Sequence, residues 1–420
     1  MGSRHDTAFA SLRPAPNPIH VPGYGQGRTI ANLAAQIGRR FGSPARRPAL
    51  ARLANPALGR VIDEAQHIVL LLLDGVGCAQ INQLSPSGPL ARSRLCEIES
   101  TFPSSTAPAI TTFASGQPPA GHAVTGWHLW SPFHHAVVRP LPLDFWGMPG
   151  QVEPGDLFQW SALSRDMRAH CTVLQPSWIA DSAFTRHAFA GSTRRGYAKL
   201  GEVRQLIVEA LATPAPEGHY VYVYLPHFDI TAHESGSASE PAYQALKAFD
   251  ALFTDIATDL LGTDTLLVAT ADHGFIDVPP EQILRMESFP HLANMLSSPL
   301  SGEPRVAFCQ VRPGLEAAFA REVSATLGDA FDCHESRVLI EAGCFGPAAP
   351  SQSLLRDRIG TYTLIGRDRF CLTQSLPGET PPAFVGMHGG THADEINVPV
   401  AAVADGSHLP SATGRRNIHV

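Results

Sequence analysis

Four places in the chain set acidic and imidazole side chains beside apolar runs. Asp74 closes HIVLLLLDG (67 to 75), Asp229 closes HYVYVYLPHFD (219 to 229) with His233 four residues on, and Asp272 and His273 close TLLVATADHG (265 to 274). His388 stands in the glycine-rich loop GMHGGTHADEINVP, ahead of another short apolar run. Taken singly, each is ordinary: a turn aspartate, a chance spacing, a satisfied polar pair. Together they offer three carboxylates and three imidazoles, a donor set suited to two borderline divalent cations, Zn²⁺ first and Mn²⁺ where oxygen ligands dominate. Two such ions about 3.5–4 Å apart stabilise both the entering and the leaving oxygen of an in-line displacement at phosphorus.

A nucleophile for that displacement is available in FPSSTAPAITTFASG (102 to 116), which carries Ser104, Ser105, Thr106, Thr111, Thr112 and Ser115. Ser105 or Thr106 can cap a helix with Pro108 in its first turn and Gly116 as its stop. Thr106 then lies at a helix N-terminus, where orphan N–H groups and the dipole favour an anion such as phosphate. Capping alone would explain the residue. The cation pair gives it chemistry, because coordination lowers the pKa of a hydroxyl that is otherwise a poor nucleophile.

The elements that must position these groups follow from periodicity. The three apolar runs read as buried parallel strands whose C-terminal ends open onto a site. EPAYQALKAFDALFTDIATDLLG has Leu246, Phe249, Leu252, Phe253, Ile256 and Leu260 at helical spacing, with Ser239 as its cap. IANLAAQIGRRF is a short amphipathic helix. Strand, helix, strand predicts a doubly wound, mainly parallel α/β sheet flanked by helices. The chain divides into an extended N-terminal arm (1–28), a catalytic α/β core (29–276 and 386–405), an inserted small α+β cap (277–385) and a tail (406–420). The stretch 127–190, with Trp127, Trp130, Phe133, Phe145, Trp146, Phe158 and Trp160, looks like a further insertion. One or two of its rings are expected to face the site, where a π face could stack a nucleobase or shelter an apolar leaving group.

Composition narrows the partners. The chain has 420 residues, 44% hydrophobic and 16% charged, and a net charge of −7, which argues against nucleic-acid polymers bound through a basic surface. Seven scattered cysteines without CxxC spacing argue against a disulfide framework and fit a reducing compartment. The first twenty residues have no apolar signal segment, and IVLLLL (68–73) is too short to span a bilayer. These features predict a cytoplasmic protein acting on a small molecule, with no membrane partner. Nineteen histidines are the unusual count. His122, His227 and His392 are expected to be packing or loop residues, although His392 could be an alternative ligand.

The segments LLLDGVG, STAPAITTFASGQPPAGHAVTGW, DITAH, TADHG and MHGGTHADEINVP, in that order, resemble the type I phosphodiesterase/nucleotide pyrophosphatase branch of the alkaline phosphatase superfamily. The resemblance implies an alkaline-phosphatase-like fold and a hydrolase of phosphodiesters or nucleotide pyrophosphates. It also implies that Thr106 is the nucleophile and forms a covalent phospho-enzyme ester. Asp74, Asp272 and His273 would hold one metal that also contacts Thr106, and Asp229, His233 and His388 the other. Counting back from Gly116 favours Thr106 over Thr101 of TFP, which would need a shifted alignment. One departure stands out: vertebrate-type members carry Asn three residues after the nucleophile, and here that position is Ala109. A backbone N–H near Thr106 is then the expected oxyanion donor.

The sulfatase pattern, Cys or Ser followed by Pro and Arg, is incomplete here, and no serine-plus-arginine motif of the alkaline phosphatase kind is visible. Alternatives with the same bimetal centre are a phosphonate hydrolase or a phosphomonoesterase. Ala109 also leaves room for a non-catalytic metal-bearing protein that binds nucleotides.

Overall fold

A computed structural model of the chain describes residues 17–42, 50–376, 379, 383–404 and 407–408. Most of the expected tail, and residues 1–16 of the expected arm, lie outside these. Residues 17–28 are built into the body: a single 3-10 turn, Tyr24–Gln26, buries Tyr24, and the Gly23 N–H donates to Glu99. Helix α1 (Ile30–Arg40) follows, with Thr29 and Asn32 forming a reciprocal cap.

Strand β1 (His67–Leu73) is buried along nearly its whole length, the signature of a central parallel strand covered on both faces. After β2 (Arg94–Glu99) comes helix α2 (Thr106–Ser115), with Ser105 at its N-cap and Gly116 in the left-handed region at its end. Strands β3 (His170–Pro176), β4 (Thr193–Tyr197) and β5 (His219–Leu225) lead to the short helix α3 (His227–Ser235) and the long helix α4 (Glu240–Asp259). The Ser239 side chain accepts the Ala242 N–H, as the spacing predicted. Strand β6 (Thr265–Thr270) completes the parallel set.

The small subdomain supplies β7 (Ser301–Glu303), β8 (Val306–Cys309), β9 (Phe331–Glu335) and β10 (Tyr362–Gly366), an antiparallel sheet in the order β7-β8-β10-β9. Helix Glu316–Thr326 buries Phe319 and Val323 against it. Where this segment leaves and re-enters the core, Ile276–Asp277 and Gly386–Met387 pair as a two-residue antiparallel ladder. Phe308, Leu339, Phe345 and Ile359 pack with Phe102, Ala120 and Ala123, so the subdomain is seated on the core rather than tethered to it.

Strand β11 (Asn397–Ala404) joins the main sheet antiparallel to β6 and β2, with Ser407–His408 paired antiparallel at its outer edge. The sheet runs β11-β6-β1-β5-β3-β4, and from β6 to β4 all pairings are parallel. This is the expected doubly wound, mainly parallel α/β sheet. The stretch 127–190 is not one insertion, however, because β3 lies inside the main sheet between β5 and β4. Buried on both faces, β3 carries polar His170, Thr172 and Gln175 among its apolar residues, so it does not read as an unbroken apolar run. No helix among the described residues is long and apolar enough to cross a membrane.

Candidate active site

The order of the sheet places β6, β1 and β5 side by side in register, with Leu72 opposite both Tyr224 and Thr270. Whatever follows those three strands must converge. Asp74 comes directly after β1, with its N–H on Leu225 O, and Asp272 and His273 come just after β6. Asp229 is not at a strand end, as the sequence suggested, but in the first turn of α3. The helix explains its partner: at four residues' spacing the His233 side chain lies over the same face, with Nε2 3.5 Å from Asp229 Oδ1. His388, in the loop after Gly386–Met387, reaches the same oxygen at 3.7 Å.

Each ligand candidate is held from behind. Asp272 Oδ1 accepts the N–H groups of Gly75 and His273, both at 3.0 Å. Asp74 Oδ2 accepts the Tyr224 hydroxyl. The Nδ1 atoms of His273 and His233 sit on the carbonyls of Gly274 (3.0 Å) and Gly386 (2.9 Å), which turns both Nε2 atoms inward. His273 Nε2 then stands 3.4 Å from Asp74 Oδ1, 3.5 Å from Asp272 Oδ2 and 3.0 Å from the Thr106 hydroxyl. The rings of His273 and His388 stack at 3.7 Å. Donor atoms gather into two overlapping sets, Asp74, Asp272 and His273, and Asp229, His273 and His388.

The unpaired oxygens say what this cluster lacks. Asp74 Oδ1, Asp229 Oδ1 and Asp272 Oδ2 are buried without a hydrogen-bond partner. Burial raises the Asp74 carboxyl well above the usual range, and the neighbouring Asp229 and Asp272 charges add to it; Asp229 is raised likewise by burial, then by Asp272 and Glu303. Burial also lowers His233 to about 4 and His388 well below its ordinary value. Neutral imidazoles facing crowded, unsatisfied carboxylates are a costly arrangement for a protein alone and a fitting one for divalent cations.

Thr106 opens α2, and the Ser105 hydroxyl at the N-cap does not cap the helix; it donates to Glu303 instead. Thr101 is elsewhere, buried, with its hydroxyl on Pro103 O at 2.8 Å. His122 is buried against the Thr112 hydroxyl, and His227 stacks on Tyr197. His392 is no simple loop residue: its side chain caps the helix Ala393–Ile396 in a reciprocal box with Glu395.

A cavity of about 890 Å³ opens over Thr106. Of the aromatic stretch, Trp127 and Trp146 line it, while Phe158 and Trp160 belong to the main core. Trp178, Phe184 and Phe384 complete the ring of aromatics. Sequence reading missed Tyr224, and it missed the end of β7 and the turn that follows. There Glu303 faces the cavity and Arg305 forms a buried fork with Glu395, at 3.2 and 2.9 Å. Glu395 in turn accepts the Gly390 N–H at 2.8 Å, tying the His388 loop to the small subdomain. The charged pair in SGEPRVAFC, set inside an apolar strand pattern, was the available signal.

The sequence pattern of the family described as type I phosphodiesterase/nucleotide pyrophosphatase matches residues 68–391. No curated protein matches the chain. Among solved structures, human ectonucleotide pyrophosphatase/phosphodiesterase 5 is similar with a TM-score of 0.61 at 13% identity, over 80% of this chain and 87% of that one. The murine protein of that name gives 0.59 at 14%, over 80% and 88%. Phosphonoacetate hydrolase from Sinorhizobium meliloti, in complex with phosphonoformate, gives 0.57 at 18%, over 83% and 93%. At such identities the likeness is one of fold.

Proposed function

Because the chain belongs to the type I phosphodiesterase/nucleotide pyrophosphatase family of phosphoric ester hydrolases, we propose that it is a metal-dependent phosphodiesterase with Thr106 as its nucleophile. The observation that carries this reading is the Thr106 hydroxyl at the start of α2, 3.0 Å from the His273 nitrogen that also meets Asp74 and Asp272. Asp74, Asp272 and His273 would hold one cation beside Thr106, and Asp229, His233 and His388 a second; such a pair, Zn²⁺ by donor chemistry, supplies Lewis-acid polarisation and a lowered hydroxyl pKa.

The chain's own residues do the rest. Thr106 Oγ1 gives up its proton to solvent and attacks phosphorus, the bond to the leaving oxygen breaks, that oxygen takes a proton from solvent and leaves as the alcohol, and a phosphothreonine ester forms. Water then displaces the threonine from phosphorus, and two inversions give net retention. With Ala109 in place of a side-chain donor, the first-turn N–H groups of α2 are the donors for the phosphoryl oxygen, since Ser105 leaves them uncapped. Tyr224 holds Asp74 in place, and the aromatic cavity takes the organic group of the ester.

A nucleotide is a suitable substrate class: the murine neighbour, as an inactive threonine-to-alanine variant, is described in complex with AMP. The phosphonoacetate hydrolase, described in complex with phosphonoacetate, makes a phosphonate the second substrate class to assay. Thr106→Ala is expected to lower turnover of bis-p-nitrophenyl phosphate by about 10³-fold or more with metal content intact. A near-normal rate overturns the assignment.

A further inference from the structure

The carboxylate of Glu303 belongs to none of the ligand sets, yet it lines the same cavity as Thr106, Asp74 and Asp229. It comes from the small subdomain, at the end of β7, and reaches across to the N-cap of α2. Its Oε1 accepts both the Ser105 hydroxyl and the Trp127 N–H, the latter at 2.7 Å, and no hydrogen bond among the described residues engages Oε2. Gly389, with φ of +108°, lets the His388 loop pass close: a Cβ there would lie 2.8 Å from Glu303 Cβ. The acid is thus wedged between the nucleophile's helix and a ligand loop.

We infer that Glu303 is a charge filter, selecting phosphoryl groups that carry one negative charge over those that carry two. This rests on the phosphodiesterase reading above. The cavity offers a dianion no compensating cation from the chain, because Arg139, the one guanidinium among its lining residues, is forked onto Asp144 at 2.7 and 2.5 Å, and no lysine lines it. Three ligand carboxylates and Glu303 would bring four negative charges against the four positive charges of two divalent ions, and Glu379, held by the Trp146 indole N–H at the cavity wall, adds a fifth. A diester adds one negative charge to that balance. A monoester adds two above its second pKa of about 6, and like charges set side by side in a poorly hydrated site strongly disfavour binding. Both donors on Oε1 favour the ionised acid. Burial pushes its carboxyl up to about 7, and the comparison is therefore made well above that value.

The test is the ratio of kcat/KM for p-nitrophenyl phosphate to that for bis-p-nitrophenyl phosphate at about pH 9, in the metal-loaded wild type, Glu303→Gln and Glu303→Asp. The amide oxygen of Gln can still accept from Ser105 and Trp127, so a merely structural role would leave the ratio unmoved. The filter predicts a ratio raised about tenfold or more in Glu303→Gln and retained in Glu303→Asp, which keeps the charge. It also predicts, by calorimetry, tighter binding of inorganic phosphate when Glu303→Gln is added to the Thr106→Ala variant. An active wild type whose ratio and phosphate binding both survive Glu303→Gln overturns the filter alone. A wild type inert towards both esters overturns the phosphodiesterase reading, and the filter with it.

Discussion

His67, His170 and His219 begin β1, β3 and β5 and meet at the N-terminal edge of the sheet, with ring centroids 5.1 and 5.7 Å apart. Asp74, Asp229, Asp272 and His273 gather at the opposite edge. The first cluster is closed on itself: His219 Nε2 meets Thr213 O at 2.8 Å, and the His219 N–H donates to His67 Nδ1 at 3.1 Å. One ring nitrogen, His219 Nδ1, lacks a partner, but a bare nitrogen of a neutral ring costs far less than an orphaned carboxylate. At the other edge three carboxylate oxygens are orphaned together. Histidine density therefore does not mark a site. Buried carboxylate oxygens left without partners do, because they must either take up protons or be met by a cation.

The sharpest way to break this contrast is to neutralise one orphan. Asp272→Asn is expected to cut turnover by about 10³-fold or more and to lower the metal content measured by elemental analysis; full occupancy with normal rates would put the ions elsewhere.

Next in size is the buckle that roofs only the C-terminal edge. Arg305→Met leaves Glu395 buried without its cation and should cost roughly 3–5 kcal/mol in urea unfolding. Adding Glu395→Gln, which still accepts from Gly390, should recover much of that. Equal stability of the two variants would mean that the ion pair is not what fastens the His388 loop.

The smallest effect belongs to the N-terminal edge. Burial lowers the pKa values of His67 and His219, so the unfolded chain binds more protons as pH falls. Their contribution to stability is present above about 6.5, the unfolded value, and is lost as pH drops through the folded values. A His67→Gln/His219→Gln protein should show a flatter acid limb in a plot of Tm against pH, with diester turnover unchanged. Any loss of bound metal in that variant would erase the distinction between the edges.

Much of the sheet could be read from the chain because β1, β5 and β6 are buried on both faces and so appear as unbroken apolar runs ending in polar residues. Asp229 was found but misplaced, since HFDITAHES shows its helical period in just two i,i+4 pairs, Phe228 with Ala232 and Asp229 with His233. His392 was assigned to a loop because a histidine cap lacks the usual cap signature. Glu303 and Tyr224 were not found at all. Glu303 meets Ser105 across 198 residues of chain, and Tyr224 meets Asp74 across 150; contacts of that span leave no local pattern.

The order of residues alone decided that β1, β5 and β6 become strands, that α1 and α4 become helices, and that Asp74, Asp272 and His273 stand just past strand ends, because these depend on periodicity and turn chemistry among near neighbours. The tertiary structure decided which ends meet, which nitrogen of each imidazole turns inward, and which carboxylates keep an empty oxygen. Those outcomes depend on strand order and on a second subdomain folding over the edge. The energy of a buried charge is fixed by the few atoms within a few ångströms of it, and sequence distance does not say which atoms those are.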